Sequence, residues 1–156
     1  MWKQFADIDV ECWRHVGRLG LAVPWLCVYH AHATVDRSRV ILQALDELQT
    51  EGCESQRALT FLPSQRDRSI GTLRLRLVAP TNELRVMNIS CGPGTATIEM
   101  TPVGLPLVRH AVSVWCDGGE DFCVSPRHAN LKKRELGIKD TTSGDLWFWG
   151  PGYDGP

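Results

Sequence analysis

Apolar and polar positions along the chain alternate in some stretches and recur at helical spacing in others. Leu73, Leu75 and Leu77 alternate with Arg74 and Arg76. That period of two puts the leucines on one face of a strand and the arginines on the other. Ala96, Ile98 and Met100 repeat the pattern against Thr95, Thr97 and Glu99. Between them, Leu84 to Ile89 reads as a third strand, bounded by turns at Pro80-Thr-Asn82 and Cys91-Gly-Pro-Gly94. Three strands joined by short turns predict an antiparallel meander over about 72–101, apolar on one face and polar on the other. Leu84–Val86 and Met87–Ile89 are out of phase, which predicts a bulge near Val86 or Met87.

Two stripes have the helical period. Val40, Ile41, Ala44, Leu45 and Leu48 predict a helix over about 36–50, capped by Thr34 or Asp36 and stopped by Gly52. Thr101-Pro102 opens a second helix, over about 102–117, whose buried stripe is Leu105, Val108, Val112 and Trp115. Further strands are expected at 9–16, 21–32, 57–62, 122–124 and 146–149. The expected architecture is α+β, one domain spanning 1–156, with both helices packed on the apolar face of the meander.

The C-terminal residues 143–156 depart most from average composition. They hold two of the six tryptophans and one of the two tyrosines. A terminus with that apolar load docks on something. Trp147-Phe-Trp149 reads as a last strand at a sheet edge, which leaves Tyr153 and Asp154 as exposed contacts. Net charge is −1, which argues against a surface built throughout for nucleic acid. The charge is uneven, however. Residues 57–85 carry six arginines against Asp67 and Glu83, a balance of +4, whereas 1–56 balance to −3 and 86–156 to −2. A basic centre between acidic flanks steers an anionic partner.

The six cysteines show no Cys-x-x-Cys pair, and the closest two, Cys116 and Cys123, are too widely spaced for a zinc motif. A reducing, cytoplasmic location is the simplest expectation. Residues 19–29 are nearly all apolar, but Asp7, Asp9 and Glu11 make the leader acidic and Pro24 interrupts the run. Neither a cleaved signal nor a membrane span is expected there.

Candidate chemistry is sparse. His30-Ala-His32 places two imidazoles on one face of a strand, with Asp36 four residues on. The dyad resembles the metal pair of amidohydrolases, although that family's large barrel does not fit this length. Two or three ligands make an incomplete metal set, so His30, His32 and Asp36 stand as the alternative, enzymatic reading. Gly118-Gly-Glu-Asp-Phe122 resembles the signature of diguanylate cyclases over five residues, without that family's other metal-binding aspartate. Ser125-Pro-Arg127-His128 gathers a hydroxyl, a cation and an imidazole, but no Gly-x-Ser-x-Gly elbow supports a hydrolase. Cys123 with His128 or His110 is the remaining thiol–imidazole pairing.

The stretch from Ile98-Glu-Met-Thr-Pro-Val-Gly104 through Gly118-Gly-Glu-Asp-Phe122 to Gly144-Asp-Leu-Trp-Phe-Trp-Gly-Pro151 is similar to small bacterial proteins of the kind that neutralise polymorphic or contact-dependent toxins. The resemblance covers about the last 60 residues and implies a non-enzymatic immunity protein. Such a protein has no cofactor and occludes the active site of a cognate toxin. The expected contacts are Asp117, Glu120 and Asp121, with Asp145, Tyr153 and Asp154 in the tail. The polar sheet face bearing Arg74, Arg76 and Arg85 is the competing surface. The expected partner is a protein rather than nucleic acid or a membrane.

Overall fold

The computed structural model describes residues 4–5, 8–16, 22–30, 39–61, 70–82, 84, 86–118, 122–124 and 145–149, with side chains described at Leu26 and between 39 and 116. The fold is α+β. Its elements run β1 (Gln4–Phe5), β2 (Ile8–Val16), β3 (Ala22–His30), α1 (Arg39–Glu51), β4 (Ser55–Phe61), β5 (Thr72–Leu77), β6 (Met87–Gly92), β7 (Thr95–Met100), α2 (Gly104–Gly118), β8 (Phe122–Val124) and β9 (Asp145–Trp149). The strands form two sheets, ordered β1-β4-β5-β7-β6 and β2-β3-β9-β8. Both sheets are mixed, because β5–β7 and β3–β9 are parallel pairs while β4–β5, β6–β7, β2–β3 and β8–β9 are antiparallel.

The expected meander is therefore corrected. β5 and β6 are not neighbours, because β7 lies between them, parallel to β5 and antiparallel to β6. The turn seen in the sequence does exist, closed by the Thr81 amide on the Leu84 carbonyl at 2.8 Å and the Leu84 amide on the Thr81 hydroxyl at 2.9 Å. It sits within a longer connection, residues 78–86, which carries the chain past one strand position of about 4.8 Å. The tight hairpin comes one turn later, where Pro93 and Gly94 link β6 to β7 and Gly94 takes a φ of 67°.

The expected bulge is corrected by the same observation. Val86 and Met87 are both buried because Val86 belongs to the connection and the strand starts at Met87. From Met87 to Gly92 the ladder with β7 is regular.

Both helices form where the stripes place them. Gly52 ends α1 with a φ of 86°, its amide bonded to the Leu48 carbonyl at 2.9 Å. The residues expected to cap its start, Thr34 and Asp36, lie outside the described residues. Thr101, fully buried, caps α2: its hydroxyl oxygen accepts from the amides of Val103 and Gly104, each at 3.3 Å. The same residue ties the helix to the β5–β6 connection, since its amide and hydroxyl both donate to the Val86 carbonyl, at 2.9 and 3.2 Å.

α1 packs on β4 and β5, whereas α2 packs on α1 and also meets β8 and β9 of the second sheet. One core joins these layers, with Leu45, Leu48, Leu73, Leu75, Ile98, Val112 and Trp115 from the first sheet and the helices, and Leu26 from β3. Ion pairs fasten the rim. Arg57 on β4 reaches Glu47 at 2.9 Å and also Glu51 on α1, and Arg109 on α2 reaches Asp46 at 2.6 Å.

The apolar run around 19–29 supplies β3, paired with β2 on one side and β9 on the other. The aromatic tail strand β9 is likewise interior to its sheet, between β3 and β8, and so is not the edge strand expected. Among the described residues no helix is long and apolar enough to cross a membrane.

Candidate binding surface

The period of two in β5 and β7 sorts the first sheet into two faces. Leu73, Leu75 and Leu77 meet Ala96, Ile98 and Met100 in register on the helix-covered face. On the opposite face the registers align three rows across β4, β5, β7 and β6. One row is Gln56, Arg76, Glu99 and Asn88. The middle row is Ala58, Arg74, Thr97 and Ser90. The third is Thr60, Thr72, Thr95 and Gly92. None of these residues is buried, and Gln56, Arg74, Ser90 and Gly92 are exposed. The outer face is thus an open, polar, hydroxyl-bearing sheet.

Its charges are unequal in their attachments. Glu99 accepts from Arg76 at 3.0 Å and from Asn88 at 3.5 Å, so its carboxylate is shared within the first row. Arg74, one row along, has no ion-pair or hydrogen-bond partner among the described residues. The face therefore presents an unpartnered guanidinium with Thr97 next to it in the row and Ser90 one strand further on. A guanidinium offers five donors in a planar fork that suits a carboxylate.

The other arginine of the sheet behaves differently. Arg57 lies on the helix-covered face, in register with Leu75. The hydrogen bonds that Arg57 donates to Glu51 and then to Glu47 raise its pKa further above the usual arginine range, and the bond donated to Glu51 holds that carboxyl below its ordinary value. Asp46 similarly raises Arg109. These cations are committed to holding the layers together.

The other candidates are distributed as follows. Asp117 lies in the last turn of α2 and Asp145 opens β9, two elements that touch each other. Glu120, Asp121, Tyr153 and Asp154 lie outside the described residues, as does Arg85. His30 ends β3, while His32 and Asp36 lie outside the described residues. Cys123 lies on β8 and His110 is exposed on α2, and Ser125, Arg127 and His128 lie outside the described residues.

One feature escaped the sequence reading. A small cleft of about 190 Å³ lies between the C-terminal end of α1 and the start of α2, lined by Gln49, Gly52, Cys53, Leu77, Pro102, Leu105 and Pro106. Exposed Val103 stands beside its lining prolines in the chain. At that size it falls below the roughly 300–1,000 Å³ of small-molecule sites. In the sequence its only trace is the pair Pro102 and Pro106.

Compared with family models, curated proteins and solved structures, the chain matches none.

Proposed function

We propose that this chain is a non-enzymatic binding protein, of the immunity-protein kind, that docks an acidic protein partner on the open face of its first sheet. The observation that carries the reading is Arg74, an exposed and unpartnered guanidinium in the middle row of a polar sheet face. An acidic segment of the partner places a carboxylate on Arg74 and, running along the row, accepts from Thr97 and then Ser90. Charge complementarity of this kind sets the approach rate and the register more than the affinity. The segment from 57 to 85, with its balance of +4, supplies the longer-range attraction. The mechanism is steric: a bound sheet face covers the partner's working surface.

A photo-crosslinking residue at Ser90, on the face, is expected to capture the partner in the native host. The same residue at Gln43, exposed on α1, is expected not to. Capture from Gln43 but not Ser90 would move the interface to the helices and remove the proposal.

A further inference from the structure

Cys91 lies near the end of β6, partly buried against the core, and is disulfide-bonded. This departs from the expectation of a reducing location. Neither Cys53, which is exposed, nor Cys116, which is buried, belongs to a disulfide. Only Cys12, Cys27 and Cys123 remain as partners. They lie on β2, β3 and β8, and every one of those strands belongs to the second sheet. β6 belongs to the first sheet, and β3 packs against it. No strand ladder joins the two sheets among the described residues.

We infer that the Cys91 disulfide is a covalent tie between the two sheets, and that it makes their docking sensitive to redox conditions. Whichever of the three cysteines is the partner, the bond crosses from one sheet to the other. It restrains two layers that are otherwise joined by apolar packing such as that of Leu26. Such a cross-link limits the unfolded chain and keeps the layers close after local opening.

The chemistry balances by thiol–disulfide exchange. Cys91 and its partner each give up one proton and one electron. A low-molecular-weight disulfide such as oxidised glutathione accepts both pairs and leaves as two thiols. A dithiol reductant reverses the step. The expectation of a reducing cytosol rested on the lack of any cysteine spacing pattern, and a bonded Cys91 removes that basis.

The test is a disulfide map of the full chain refolded in a glutathione redox buffer, alkylated and digested without reduction. The Cys91 peptide is expected joined to a peptide bearing Cys12, Cys27 or Cys123, with Cys53 alkylated. Dithiothreitol should separate the pair and lower the melting temperature by about 5–10 °C. Cys91→Ser should melt at that lower temperature with or without reductant, and Cys53→Ser should behave as the unaltered protein. If Cys91→Ser does not fold, the map of the unaltered chain still decides. Cys91 alkylated in the folded protein, Cys91 joined to Cys53 or Cys116, or a melting temperature indifferent to dithiothreitol would each overturn the inference.

Discussion

Gly104 opens α2 where the Val86 carbonyl crosses it. A Cβ built there meets the Val86 oxygen at 1.9 Å and the Val86 carbonyl carbon at 2.8 Å. Both obstacles are backbone, and Thr101 pins that carbonyl with two hydrogen bonds, so neither side yields easily. Gly104→Ala is expected to cost about 2–3 kcal/mol, as overpacking does in a filled interior. Urea unfolding would show this as a lower midpoint with an unchanged slope. Gly92→Ala is the control: nothing lies within 4 Å of its Cβ, and its effect should stay within about 0.5 kcal/mol. The sequence marked Thr101-Pro102 as a helix start but gave no sign that Gly104 was constrained, because the obstacle is the backbone of Val86, far away along the chain.

At the scale of elements, periodicity located α1, α2, β5 and β7 to within a few residues, since each buries one face against a neighbour, and alternation also located β9. It did not locate the partners of those strands. Leu-Arg alternation is the same whether β5 pairs with β6 or with β7, and a turn at 81–84 does not say how far the chain then travels. The polar face was legible for the same reason. The isolation of Arg74 was not, because Arg76 rather than Arg74 takes Glu99, and that depends on the cross-strand register.

The α1–β4 contact makes a prediction of its own. Glu51 has a folded pKa below its ordinary 4.5, first through its hydrogen bond from Arg57. A depressed carboxylate adds stability above the unfolded value, and that stability is lost as the pH falls through the folded value. Glu51→Gln should therefore be less stable than the unaltered protein at neutral pH, with the gap narrowing below pH 4.5 in urea titrations. Because the pair is largely exposed, added salt should also narrow it. A gap that widens in acid would contradict the pairing.

At the scale of the molecule, the strand Asp145–Trp149 within the tail that stood out in the sequence is interior to the second sheet. β9 bonds β3 on one side and β8 on the other, so removing residues 143–156 deletes a central strand. That truncation should lower the melting temperature by about 10 °C or more, or abolish cooperative unfolding. Unchanged melting would mean that the second sheet does not need its third strand. The existence of two sheets was not legible, because β3 and β9 pair across more than a hundred residues and no local pattern encodes so distant a partner.

The central claim is that Arg74 on the open face meets an acidic partner, and charge reversal at that residue tests it most directly. Arg74 is exposed and unpartnered, so Arg74→Glu should leave the melting temperature within a few degrees of the unaltered protein, roughly the effect of a surface change. Affinity for the partner crosslinked through Ser90 should fall about 100-fold or more, as expected when like charges meet at an interface, while Arg74→Lys retains most of it. Equal affinity of the unaltered and Arg74→Glu proteins for that partner, with both folded, would contradict the account.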